Sequence, residues 1–284
     1  MTQSSTTVWK AGIRTTLLLA TLTGMLVVLG QLIGGPSVAL TFLVIGAVMN
    51  LAMFWFSDKI ALRMSRAKPL SETDAPRLHQ MVRELCHSAG LPMPRLYVIP
   101  QEQPNAFATG RSPNHSAVAV TEGIMKHMSE SELRGVIAHE LAHIRNRDTL
   151  TQSVAATIGG AITWIAYMLL WVGGDDDSPL GLVGSIAMVV LAPIAAGLVQ
   201  MAISRQREFA ADATGAQISK APNALADALE RLEAGAAAVP MQVNAAAEPL
   251  YIVKPFKAGG LAGLFSTHPP IAERVKRLRA MSVT

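Results

Sequence analysis

VIAHELAHIRNRD, residues 136–148, sets two histidines four positions apart with a glutamate directly after the first. On a helix, residues i and i+4 share a face. His139 and His143 can therefore each aim a ring nitrogen at one ion, at bond lengths of about 2.0–2.1 Å. Glu140 is turned about 100° from His139. That puts it beside the ion, placed to take a proton from a metal-bound water. The pattern H-E-x-x-H fixes only three positions, and by chance it arises in on the order of 1% of chains with these His and Glu frequencies. Its surroundings favour a real helix. Ser129 and Glu132 form a capping signature, and Leu133, Val136, Ile137 and Leu141 give it a core-facing side.

Two histidines leave a zinc site incomplete, so a third ligand is required. Cys86 is the only cysteine, which excludes a Cys-rich zinc site and any disulfide within the chain. His79, His87, His115 and His127 are isolated and read as surface or satisfied residues. Asp175, Asp176 and Asp177 lie in a loop between two apolar stretches, and Glu230, Glu233 and Glu248 have no partner pattern. In SRQREFAAD, by contrast, Glu208 and Asp212 share a helical face. The expected metal set is His139, His143 and Glu208, holding one Zn2+ per chain. Asp212 is expected to accept from the second ring nitrogen of His139. The competing reading makes Glu208 a solvated helix carboxylate.

Half of the 284 residues are hydrophobic and 15% are charged, with a mean hydropathy of +0.34. Soluble domains carry about 25% charged residues, so a membrane protein with a modest soluble part is expected. The net charge of +4 calls for no nucleic-acid partner, and no basic stripe with interleaved aromatics is present. Residues 15–34 and 38–56 are two apolar spans joined by GGPS. The first outruns a signal-peptide core and lacks a cleavage site, which favours a hairpin. Lys10 and Arg14 precede it and Lys59, Arg63, Arg66 and Lys68 follow it, so both ends are expected in the cytoplasm. A second, weaker pair occupies about 151–172 and 180–203, flanked by Arg145, Arg147, Arg205 and Arg207 on the same side.

The expected divisions are an N-terminal transmembrane hairpin over 1–57, a cytosolic segment with the H-E-x-x-H helix over 58–150, a second hydrophobic hairpin over 151–203, and a cytosolic segment with the third ligand over 204–284. Within the soluble parts, Ser71 and Asp74 stand in capping positions for a helix ending at Gly90, and PRLYVIP, NAFATG and HSAVAVTEG read as short strands. Pro222 and Gly235 bracket another helix. Residues 235–265 are Ala/Gly-rich, with one short strand near 250–253, and are expected to form a mobile loop gating the site. A basic amphipathic helix closes the chain.

The motifs HELAHIRNRD, REFAAD and THPP, in this order and with a hairpin on each side of the first, closely resemble the HtpX-type membrane zinc metalloproteases, bacterial relatives of the CAAX prenyl protease family. The resemblance implies two transmembrane hairpins plus a mostly helical α+β, zincin-like metalloprotease domain. It also implies an ATP-independent endopeptidase of the bacterial inner membrane, facing the cytosol, that clears misfolded or damaged membrane proteins under stress and cuts itself. PNAFATG looks like that family's substrate-pairing strand. Asn105 is thereby expected on the substrate backbone and Ala106 in main-chain pairing with it. His268 of THPP is expected to stabilise the oxyanion, and Arg274 to support substrate or His268. The bland reading has His268 capping the last helix and Arg274 as a surface charge. The competing functions are a catalytically silent zinc-binding scaffold and an intramembrane-cleaving protease. The charges of Glu130, Glu132, Arg134, Arg145 and Arg147 around the H-E-x-x-H helix disfavour the second.

Overall fold

The computed structural model describes residues 3–154, 205–239, 241, 250–253 and 269–282. The second hydrophobic hairpin, most of the Ala/Gly-rich loop and His268 lie outside these residues. A long helix, α1 (Gln3–Met64), leads into strand β1 (Lys68–Pro69), helix α2 (Pro76–Ala89) and strands β2 (Arg95–Ile99), β3 (Ala106–Ser112) and β4 (His115–Thr121). Helices α3 (Glu122–His127) and α4 (Glu130–Asn146) follow. Beyond the undescribed stretch come α5 (Arg205–Ser219), α6 (Pro222–Ala238) and α7 (Ile271–Arg279).

Although α1 is helical almost throughout, it does not run straight. Asn50 Nδ2 donates to Thr23 Oγ1 at 2.8 Å, whereas 27 residues of straight helix span about 40 Å. The chain reverses between them, where Gly35 takes φ +72 and Pro36 follows. Only glycine adopts that backbone without strain. Gly35–Ala52 is apolar enough to cross a membrane, with a mean hydropathy of 1.7 and 11% of the stretch buried.

The sheet has the order β1-β2-β4-β3, with β2 and β4 parallel and the other pairs antiparallel. Period-two alternation divides its faces. Ala106, Ala108, Val118 and Val120 join the main core with α2, α4, α5, α6 and α7. Phe107, Ala117, Ala119 and Ile99 turn the other way, onto Ala61 and Leu62 at the end of α1.

Helix α4 lies at the centre of the main core. Its capping box is formed as the spacing implies: Ser129 accepts from the Glu132 amide, and Glu132 accepts from the Ser129 amide at 2.8 Å. Two neighbours approach it where a side chain is missing. A methyl on Gly135 would stand 2.9 Å from Leu225 Cα of α6, and one on Gly215 of α5 would stand 2.9 Å from His139 Cα.

Helix α2 departs from its expected start. It begins at Pro76 after Ala75, with no side-chain cap. Ser71 and Asp74 bond each other in the preceding turn, and Pro76 at the first helical position has no N–H for a cap to satisfy. Helix α6 runs three residues past Gly235, which instead lies against the Pro104 ring. Residues 250–253 are not a regular strand, though the Ile252 amide donates to Ala106 O at 3.1 Å.

Candidate metal centre

One turn apart on α4, His139 and His143 face each other with Nε2 atoms 3.1 Å apart. Glu208, in the first turn of α5, completes a triangle. Its Oε2 is 3.7 Å from His139 Nε2 and its Oε1 3.6 Å from His143 Nε2. Among the described residues these three form the group of His, Cys, Asp and Glu whose donor atoms converge closely enough to hold an ion. A tetrahedral ion with N and O bonds of about 2.0–2.2 Å needs donors about 3.3–3.6 Å apart. The observed separations bracket that range, and two neutral imidazoles with a carboxylate suit a divalent cation. The residues fit a metal.

Each imidazole is fixed from behind by a carboxylate on its other nitrogen. Asp212 Oδ1 lies 3.0 Å from His139 Nδ1. Asp148 Oδ2 lies 3.3 Å from His143 Nδ1. Both contacts place a proton on Nδ1 and leave the Nε2 lone pair toward the ion. Asp148 had no assigned role in the sequence reading. Five residues beyond His143, it falls off the ligand face of an unbroken helix. Arg147 ends α4 in the left-handed conformation, φ 59, and the next helical stretch, 148–154, brings Asp148 back against the ring.

Arg274 is not the surface charge of the bland reading. It is fully buried behind the donors. Its Nε and Nη2 grip Asp212 at 2.8 and 2.7 Å, and its Nη1 lies 3.5 Å from Glu208 Oε2. A buried guanidinium needs carboxylate partners, and α5 supplies two of them at the i, i+4 spacing. Burial acts against the Arg274 charge, but Asp212 and Glu208 outweigh it and raise its pKa further. Burial likewise pushes the Asp212 carboxyl up, but the Arg274 charge and hydrogen bonds, with His139, bring it down to about 2. Asp212 is thus a permanent anion.

Glu140 is 2% exposed. Burial raises its pKa to about 7, assisted by the nearby Glu208 and opposed by His143 and the Ala108 amide, which donates to it. A carboxylate poised near neutrality beside the donors suits a group that takes and returns a proton.

Asn105 and Ala106 stand at the start of β3, on its outer edge. Asn105 is buried, and its amide donates to Val253 O at 2.8 Å. Elsewhere on that edge, Thr149 Oγ1 donates to Gly110 O at 2.8 Å.

The model of Peptidase family M48 matches residues 72–282. Curated relatives named Protease HtpX homolog include that of Pelotomaculum thermopropionicum, 51% identical over 94% of this chain and 98% of its own. That of Persephonella marina is 50% identical over 95% and 97%, and that of Ralstonia nicotianae 49% over 96% and 97%. The crystal structure of S. mikatae Ste24p aligns with a TM-score of 0.51 at 18% identity, over 97% of this chain and 67% of that one, a likeness of fold. With a donor triangle of two histidines and a glutamate beside a buried carboxylate, and relatives matched along nearly their whole length, the chain belongs to peptidase family M48, among its HtpX homologues.

Proposed function

We propose that this chain is a membrane-tethered zinc endopeptidase. It cuts misfolded or damaged membrane proteins at the cytosolic face without ATP, and cuts itself. The observation that carries the reading is Glu140, a buried carboxylate with its pKa raised to about 7, beside three converged donors.

His139, His143 and Glu208 would hold the ion, with Asp212 and Asp148 orienting the rings. Zinc bound there would supply a Lewis acid and make water more acidic near neutral pH. Glu140 accepts the proton of the attacking water and delivers it to the amine nitrogen leaving the scissile bond. The Ala108 amide holds the Glu140 carboxylate toward the β3 edge, where Asn105 and Ala106 meet the peptide main chain. His268 is assigned to the oxyanion on the strength of THPP.

The apolar span Gly35–Ala52 supports anchorage in a bilayer. Just beyond it, exposed Trp55 and Phe56 carry cations over their rings, Arg111 of β3 at 4.4 Å and Lys59 at 5.3 Å. Aromatic rings flanked by Lys and Arg suit the membrane–water boundary. Strand β3 thus touches the end of the span through Arg111 and the proton-accepting carboxylate through Ala108. With both ends of each hydrophobic pair in the cytoplasm, the site opens close to the inner-membrane surface.

The test purifies the protein in detergent with metal chelated, restores zinc, and compares wild type with Glu140→Ala for bound zinc and for cleavage of unfolded casein. The reading requires about one zinc per chain in both, and cleavage by wild type alone. Equal cleavage by both would remove Glu140 from the chemistry. Zinc binding without cleavage of casein or of a membrane protein by wild type would favour a zinc-binding scaffold.

A further inference from the structure

β3 is an edge strand of the sheet, and several of its outward backbone groups are met by specific partners. Gly110 O takes the Thr149 hydroxyl, and the Ala108 amide goes to Glu140. Both partners belong to α4 or the helical turn directly after it. The partners at Ala106 and Asn105 come from far along the chain. Ile252 N donates to Ala106 O at 3.1 Å. The Asn105 side chain brackets one residue of the same segment, giving its amide to Val253 O at 2.8 Å and receiving Val253 N at 3.4 Å on Oδ1.

These three hydrogen bonds read only main chain on the incoming side. That is how an extended peptide adds to an exposed sheet edge. The side chains of the segment divide between the two faces of the sheet, though without a strand's strict alternation. Tyr251 packs edge-on against Phe107, ring centres 5.2 Å apart, in the cluster below the sheet. Ile252 and Val253 turn into the main core. The segment also reaches the guanidinium that grips Asp212, since Arg274 Nη1 donates to Ile252 O at 3.4 Å.

We infer that Ile252 and Val253 stand in for a substrate's backbone on the edge of β3, so that a substrate must displace them, and that peptides with branched or aromatic apolar residues in their place displace them best. The inference rests on the protease reading. It deepens that reading by naming the internal competitor and the substrate class. Segments of that chemistry are the ones an unfolded membrane protein exposes. Because the edge is filled, the fraction of molecules able to bind peptide is reduced. That raises the apparent KM and leaves kcat unchanged for the molecules that do bind.

The experiment uses the full-length, zinc-loaded Glu140→Ala protein in detergent, with fluorescently labelled unfolded casein as probe. Hydrogen–deuterium exchange is followed with and without saturating casein. The Ile252 and Val253 amides should exchange about tenfold faster or more once casein is bound, as expected for a locally released segment. Casein binding with those amides still protected overturns the inference while leaving the protease reading intact. Failure of casein to bind, with no cleavage by wild type, overturns both. In the active protein, Ile252→Pro removes the amide that bonds Ala106 and should lower KM about fivefold with kcat unchanged, the weight of one backbone hydrogen bond. A KM that stays or rises marks the segment as a permanent part of the sheet and overturns the inference. A peptide copying residues 249–254 should inhibit competitively, and more strongly than one with Ser in place of Ile252 and Val253. Equal inhibition by the two overturns the substrate-class claim.

Discussion

His139 and His143 are one helical turn apart, both buried, each backed by a carboxylate on Nδ1, yet without metal their pKa values are pushed in opposite directions. At His139, burial lowers the pKa and His143 and Arg274 add to it, outweighing Asp212. At His143, burial also acts downward, but Asp148, Glu208 and Glu140 overcome it and raise the pKa to about 9. The difference lies behind the rings. Asp212 is saturated by a bidentate, fully buried Arg274, so the pair presents His139 with almost no net charge. Among the described residues, Asp148 has a looser cation, Arg207 Nη1 at 3.5 Å. A carboxylate behind a histidine fixes its tautomer in either case, but it charges the ring only if its own charge is left uncompensated.

Breaking the His139 side should have the largest effect. Arg274→Met strands Asp212 and Glu208 in the core, and a loss of about 3–5 kcal/mol in stability is expected on urea unfolding of the metal-free protein. A loss under about 1 kcal/mol would mean that water already solvates the pair. Next come the two carboxylates. Asp212→Asn and Asp148→Asn should each weaken zinc binding by about 10–100-fold, measured against a chromophoric chelator. Asp212→Asn should be the worse of the two because it also leaves Arg274 unpaired. Equal losses would erase the distinction between the two rings.

The two rings also differ in how they couple the stability of the metal-free protein to pH. An unfolded chain ionises Glu140 from about 4.5, while the folded one keeps the proton to about 7, so stability falls as pH rises across that window. His143, raised from 6.5 to about 9, contributes stability that is full below 6.5 and lost on the way to 9. His139, lowered from 6.5, works the other way, gaining stability as pH rises to 6.5 and adding nothing above it. The melting temperature in chelator should therefore decline from about pH 6.5 to 9. Glu140→Gln should flatten the lower half of the decline, and bound zinc should reverse its slope because the ligands must be deprotonated. A flat profile in chelator would contradict the burial of both side chains. Ser129→Ala should have the smallest effect, about 1 kcal/mol from the lost cap, with zinc affinity unchanged, separating helix stability from ring orientation.

What could be read from the sequence follows from how local each feature is. His139, Glu140 and His143 lie on one helix whose cap and apolar side are written in adjacent residues. Glu208 and Asp212 were visible through the same four-residue spacing. Asp148 was not, because its contact depends on a left-handed break at Arg147, a residue type that gives no sign of it. Arg274 resembled a surface charge on an amphipathic helix, since nothing in α7 records the two acids of α5 that bury it. The helical hairpin was legible at GGPS. The two-residue β1 and the six-residue α3 carry too little pattern for periodicity to register, although Thr121, which accepts from the Ile124 amide, is a cap that could have announced α3.

Gly215 sets how closely α5 seats on α4. Along one face of α5, at intervals of four and three residues, Glu208 meets the tip of His139, Asp212 its far nitrogen, and Gly215 its backbone. Three points on one rigid bar thus locate a single ring, leaving its orientation to the mating of two helices more than to its own torsions. The bar seats because the third point has no side chain, and a methyl there would have to displace backbone. Metal bonds accept an error of about 0.2 Å. A Gly215→Ala chain would keep every ligand and still be machined to the wrong gauge.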